Sequence, residues 1–257
     1  MLASVLLGLF VVLGIAGPSL APHDPRVAIG RPLQPPGGRA VLGTNDIGQD
    51  VLSEWLIGAR ATLIAAIGVT GISTALAWLV GVTAGLWSRA ALPLTSLGDL
   101  VLALPAIPLY LLILALVGPN QATIVLTLGL LSWPAFARIV QATVREVRQA
   151  PYVEAAAALG ASPVRVAVHH VVPATFGLLA TKVVLTVRFA IFAEASLAFL
   201  GLGDPGAKSW GAMLGTAFNY PLLFARGAWL WWMAPPALAI IAVVWATSVL
   251  TMERPRG

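Results

Sequence analysis

The stretches IPLYLLILALVG (residues 107–118) and LAIIAVVWATSVL (residues 238–250) carry no charge and show no alternation of apolar with polar side chains. A barrel strand crossing a membrane alternates lipid-facing and lumen-facing residues over about 10 positions. These continuous runs cannot do that, whereas a helix needs about 20 mainly apolar residues to cross the hydrocarbon core. Hydrophobic residues make up 59% of the 257 and charged residues only 10%, with a mean hydropathy of +0.91. That is more apolar surface than one soluble core can use. The expected fold is all-α: a polytopic membrane protein.

Six spans are expected, at about 2–18, 57–87, 96–118, 121–141, 174–202 and 229–251. The first apolar run ends in Gly-Pro and has no basic residue before it, so it reads as a retained span in preference to a cleaved signal. Residues 1–56 form one unit, the first span with an external loop, and residues 57–257 a core of five spans with a large loop at about 142–173. If the helices alternate, Arg89, Arg138, Arg145, Arg148, Arg165, Arg254 and Arg256 fall on one side, which the positive-inside rule makes cytoplasmic. Both termini are then inside. The opposite loop, 19–56, carries Arg26, Arg31 and Arg39 with Asp24, Asp46, Asp50 and Glu54, so the bias is moderate. Trp87 is expected at the inner interface and Trp229, Trp231 and Trp232 at the outer one.

The net charge of +5 does not point to nucleic acid: 13 of the 15 basic residues are Arg scattered singly, and a nucleic-acid binder shows a clustered patch. Cysteine is absent, which excludes disulfides and thiolate metal sites. A P-loop needs Gly-Lys-Ser or Gly-Lys-Thr, yet Lys182 follows Thr181 and Lys208 follows Ala207. His169 and His170 are adjacent and point about 100° apart on a helix, a poor metal pair. Gly201, Gly203 and Gly206 follow no strand and read as a turn, not a phosphate cradle. No enzyme activity, metal or cofactor is expected.

Pro105, Pro108, Pro134, Pro235 and Pro236 fall inside expected spans, where each removes a backbone hydrogen bond and kinks its helix unless neighbours absorb it. Lys182, Arg188, Glu194 and Asp99 lie at membrane depth, where a central charge costs at least about 2.5 kcal/mol and must face protein or water. Lys182 and Asp99 fall near the inner surface and can snorkel. Glu194 lies toward the outer leaflet with Arg188 or Arg60 to pair with it, and reads either as part of the pathway wall or outer gate or as a buried packing pair.

One segment, EAAAALGASPVRVAVHH (154–170), is too polar and interrupted to span. Pro151 suits a first helical turn and Gly160 the left-handed position just past a helix end, giving a short helix over 151–159. Ser162 and Pro163 cap a second helix running to about Val172, before Pro173 opens the next span. Tyr152, Ala156 and Leu159 share one face, and the other alanines keep the surface close to the backbone. Physics alone allows two uses: a connector resting on the membrane surface, or an amphipathic helix that inserts into a partner's groove.

The spacing Glu154-Ala155-Ala156, three residues, Gly160, nine residues, His170-x-Val172-Pro173 resembles the EAA loop of ABC importer permeases, whose general pattern ends Ile-x-Leu-Pro. LGTNDIGQDVLSEWLIGAR (42–60) and EASLAFLGLGDPGAKSWGAML (194–214) are similar to segments of the dipeptide, oligopeptide and nickel subfamily, so the resemblance covers nearly the whole chain. It implies a type I importer fold in a prokaryotic cytoplasmic membrane. It also implies a second, homologous permease subunit, two cytoplasmic ATPases that receive the EAA loops, and an external solute-binding protein. The coupling residues carried over are Tyr152, Glu154, Ala155, Ala156, Leu159, Gly160, Ala161 and Pro163; Arg60, Arg188 and Glu194 are the pathway or gate candidates. Gln49 stands where the family usually has Arg, and Asn45-Asp46 replaces Thr-Asp, so a gate contact made by that Arg cannot be carried over. The C-terminal TSVLTMERPRG lacks the Leu-Gly-Asp and Leu-Arg-Asp tail of many relatives, and the N-terminus their basic lead. Peptides are the first substrate expectation and nickel or a metal chelate the second. A reading from another class, an autonomous secondary transporter or channel, predicts uptake by this chain alone under an ion gradient.

Overall fold

The computed structural model describes residues 2–252, so Arg254, Arg256 and the end of the tail lie outside the described residues. The order is α1 (Leu2–Leu20), α2 (Val51–Leu86), α3 (Ser88–Ala103), α4 (Ala106–Val117), α5 (Gln121–Leu131), α6 (Pro134–Arg148), α7 (Pro151–Ala158), α8 (Pro163–Val166), α9 (Val172–Ala174), α10 (Phe176–Leu197), α11 (Trp210–Phe218) and α12 (Ala234–Met252). One π-helical turn (Ala167–Val171) joins α8 to α9, and another (Ala198–Leu202) follows α10 and is broken at Gly201, whose φ is +84°. The described residues contain no strand beyond isolated bridges among residues 28–50. The chain is all-α, as expected.

Five segments are long and apolar enough to cross a membrane: Leu2–Leu20, Val51–Leu86, Gln121–Arg148, Phe176–Leu202 and Ala228–Leu250. The expected span at 96–118 is not one helix, because α3 and α4 meet at 87°; six spans result only if this bent pair counts as one. Leu104, restricted by the proline after it, is extended (φ −86°, ψ 139°), and Pro105 caps α4. The other prolines expected to kink a span also sit at helix starts, Pro108 in the first turn of α4. Pro134 opens α6, and Pro235 and Pro236 lie in the first turn of α12, where backbone N–H groups have no helical partner to lose. Likewise α2 starts six residues before the expected 57, because Asp50 is its N-cap, accepting from Ser53 N at 3.2 Å and Ser53 Oγ at 2.6 Å. An apolarity window does not see a cap.

All three clusters of buried side chains touch α2. At one end Ala59, Leu63 and Ala66 pack with Phe10, Ile191 and Trp210; in the middle Val69 meets Leu114, Ile124 and Leu128; at the other end Ala77 and Val82 meet Val140 and Val144. In a bilayer no hydrophobic gain drives helix to helix, and small residues that allow close approach do that work. Gly81 and Gly85, spaced as GxxxG, seat α2 on α6: a Cβ at Gly81 would lie 2.6 Å from the Ala137 carbonyl oxygen, and one at Gly85 2.5 Å from Val144. Trp232 departs from the interfacial expectation. It is buried in the core beside Tyr220, with ring centroids 6.0 Å apart, because the chain turns through Ala228–Leu230 before α12 begins.

The short helix α11 lies on the end of α10 with its glycines against backbone. A Cβ at Gly211 would come within 2.5 Å of both Cα and O of Ala195, atoms that cannot swing aside. Gly211→Ala is therefore expected to cost about 2 kcal/mol by overpacking, seen as a lowered thermal unfolding midpoint in detergent. Gly177→Ala, within α10 and with nothing within 4 Å of a Cβ, does not lower the midpoint and raises it by up to the helix-propensity gain of about 0.5–1 kcal/mol.

Candidate functional site

The loop between α6 and α10 has the caps its sequence implies. Gly160 has φ +89°, Ala161 N donates to Ala156 O at 3.1 Å, and Gly160 N to Ala157 O at 3.0 Å. These two bonds are the Schellman pattern, which satisfies the last carbonyls of α7 and reverses the chain. Ser162 Oγ accepts from Arg165 N at 3.3 Å and starts α8. The second helix does not stop before Pro173: it runs through the π-helical turn into α9, with Pro173 in that helix's first turn, and the break falls at Thr175.

Anchoring comes from residues that periodicity did not single out. Val153 is buried, holding α7 to the bundle, while Tyr152 meets the His170 ring edge-on at 6.1 Å. Arg148 Nη1 donates to Gly85 O at 3.1 Å and Leu86 O at 2.8 Å, closing the last carbonyls of α2. Trp78 Nε1 donates to Thr175 Oγ1 at 2.9 Å, fixing the start of α10. On this base Leu159 stands 90% exposed, with Tyr152 and Val164 also exposed. Glu154, Ala157, Ala161 and Pro163 line a cavity of about 580 Å³ against Val82 and Leu86 of α2. Ala155 is exposed and Ala156 half-buried. The eight candidate residues thus divide between an outward side with Tyr152, Ala155 and Leu159 and a cavity side with Glu154, Ala161 and Pro163, and Ala156 does not share the exposure of Tyr152 and Leu159.

At the opposite end the loop before α2 folds back on itself. Asn45 Oδ1 accepts from Ile47 N (3.1 Å) and Gln49 N (2.9 Å), and Asn45 Nδ2 donates to Gln49 Oε1 at 2.9 Å. Lys208, from the turn after α10, reaches across to donate to Gln49 Oε1 at 3.1 Å and pairs with Glu54 Oε1 at 2.5 Å. Gln49 and Asn45, departures from the family pattern in this loop, are therefore both buried in this network. Its only sequence signal was that departure; the Lys208 to Glu54 separation of 154 positions hid the rest. The turn itself is as expected: Gly201 has φ +84°, and Gly206 N donates to Asp204 Oδ1 at 2.7 Å.

The pathway candidates are not brought together. Glu194 is 2% exposed, beside Ser209 at the start of α11, and its Oε2 has no hydrogen-bond partner among the described residues. Arg188 donates instead to Ser248 Oγ of α12 at 3.2 Å, and Arg60 is exposed. Neither pairs with Glu194, because α11 occupies the space beside it. Lys182 does not snorkel: it is 7% exposed, donates to Ser132 O at 3.2 Å and lies 5.4 Å from the Phe136 ring centroid. Asp99 does reach an open surface, where it pairs with Arg138.

Residues 73–252 match the family model described as the binding-protein-dependent transport system inner membrane component. The di/tripeptide transport system permease protein DppC of Pseudomonas aeruginosa (strain UCBPP-PA14) is 34% identical over 251 residues, 94% of this chain and 81% of that protein. A protein of Escherichia coli (strain K12) named "Probable D,D-dipeptide transport system permease protein DdpC" is 30% identical, over 93% of this chain and 80% of its own length. Among solved structures, the inward-facing MetNI methionine ABC transporter shares the fold with a TM-score of 0.54, at 16% identity, covering 76% of this chain and 93% of that one. An all-α bundle with a capped helical hairpin at one end and these relatives along almost its full length places the chain in the family of binding-protein-dependent transport system inner membrane components.

Proposed function

We propose that this chain is one of two membrane-spanning subunits of an ATP-driven importer of short peptides, and that α7 is its coupling helix. The observation that carries the reading is the exposed surface of Tyr152, Leu159 and Val164 standing on a rigid base of Val153, Arg148 and the Gly160 turn. An apolar surface held this firmly suits a helix that sits in a partner's groove, here that of an ATPase. Arg89, Arg145, Arg148 and Arg165 belong to this same end, which the positive-inside rule makes cytoplasmic, with both termini on that side. ATPase closure then moves α7, and the contacts of Arg148 and Trp78 pass the motion to α2 and α10 as rigid bodies. Peptides are the substrate class named for the relatives. In this reading Glu194 belongs to the packing of α10 on α11 and not to a gate.

The test is reconstitution. The complex that copurifies from native membranes should contain a homologous permease, ATPases and a solute-binding protein, and should take up labelled dipeptide only with ATP. Uptake by this chain alone under an ion gradient, or nickel uptake in place of dipeptide, overturns the reading.

A further inference from the structure

The bend between α3 and α4, the break between α5 and α6 and the inner half of α10 border an open cavity of about 380 Å³, within the range that holds small ligands. Its walls are mostly apolar, with Phe136 and Phe189 among them, and its polar groups are Lys182, Ser132, Tyr110 and Thr186. Two of these are unusual. Lys182 has no ion pair among the described residues; its ammonium donates to the Ser132 carbonyl and faces the Phe136 ring. Ser132 Oγ is buried without a hydrogen-bond partner among the described residues.

An ammonium has three N–H donors, and the contact with the Ser132 carbonyl uses one. A cation at membrane depth without a counter-ion is costly, and such groups mark substrate pathways or relays. A carboxylate has about four acceptor sites: one oxygen fits Lys182 Nζ, and a turn of Ser132 about χ1 would bring its buried hydroxyl to the other. The apolar walls would strengthen that attraction by excluding water, while a single point charge without a bidentate clamp keeps it short-lived.

We propose that this cavity is a transit subsite for the C-terminal carboxylate of the imported peptide, with Lys182 as its counter-charge and Ser132 Oγ as second donor. The proposal rests on the peptide reading above. The test compares uptake of labelled alanyl-phenylalanine with uptake of its C-terminal amide by the reconstituted complex. The ratio of acid to amide, taken relative to wild type, cancels differences in protein amount and in selection by the binding protein. Lys182→Met should lower that ratio about tenfold, while Lys182→Arg keeps it within about twofold because the charge remains. Ser132→Ala, which removes one donor and no charge, should lower it about threefold. An equal loss of both substrates in Lys182→Met, as expected if the lysine only packs or pairs with a carboxylate of the second permease, overturns the proposal, as does no change in the ratio. If Lys182→Met does not assemble, Ser132→Ala decides alone. Wild-type uptake of neither compound overturns the peptide reading itself, and this inference with it.

Discussion

Gly160→Pro uncouples or dismantles the complex: substrate-stimulated ATP hydrolysis is lost, or the ATPase no longer copurifies, and uptake falls to background. The reason is confined to backbone. Gly160 holds φ +89° and its N–H closes the end of α7 on Ala157 O at 3.0 Å, whereas proline fixes φ near −65° and has no N–H. Nothing lies within 4 Å of a Cβ there, so crowding plays no part. A proline in the wrong backbone state costs about 3 kcal/mol or more, enough to reduce the correctly turned hairpin by about a hundredfold at 1.4 kcal/mol per factor of ten. Gly160→Ala keeps the N–H and meets only the left-handed penalty of about 1–2 kcal/mol, so it should retain partial transport. Glu154→Lys, at the exposed first turn of α7, should weaken the ATPase contact without unfolding the hairpin. A Gly160→Pro complex that retains its ATPase and transports like wild type would remove α7 from the coupling role.

That hairpin was legible because everything specifying it is local. Pro151, Gly160 and Ser162 act on neighbours within five residues, and each does in the structure what its chemistry implies. The spans were legible for the same reason, being runs of one kind of residue. What sequence could not show is where partners lie far along the chain. Charge alone pairs Glu194 with Arg60 or Arg188, yet α11 packs beside it, with Gly211 and Gly215 against the backbone of Ala195 and Phe199. In the expected third span a hydropathy pattern implies a continuous helix kinked by its prolines, but at Pro105 one helix ends and another starts at 87°. That bend, invisible to a hydropathy window, gives Lys182 a cavity to face in place of the inner interface.

Lys208 shows the same limit and carries the other large effect. Its one role in the sequence was to fail as a P-loop lysine; in the fold it neutralises Glu54, which is almost fully buried in the first turn of α2. Lys208→Met should lower the thermal unfolding midpoint of the purified complex by an amount equivalent to about 2 kcal/mol, since it leaves a buried carboxylate without its cation. The figure is below that for a fully buried pair because the lysine side chain retains 34% exposure. Glu54→Gln should cost less, about 1 kcal/mol, because an amide still accepts from Lys208 and a partly exposed ammonium can turn to water. In the double variant the loss should be smaller than the sum of the two, as for residues in one network. Strictly additive losses would show that the pair is a surface contact with no structural weight. The asymmetry between the single variants matters as much as the coupling. It separates a lysine that serves a buried acid from an acid that serves an exposed lysine, and the first fits the buried network in which Lys208, Gln49 and Asn45 tie the turn after α10 to the start of α2.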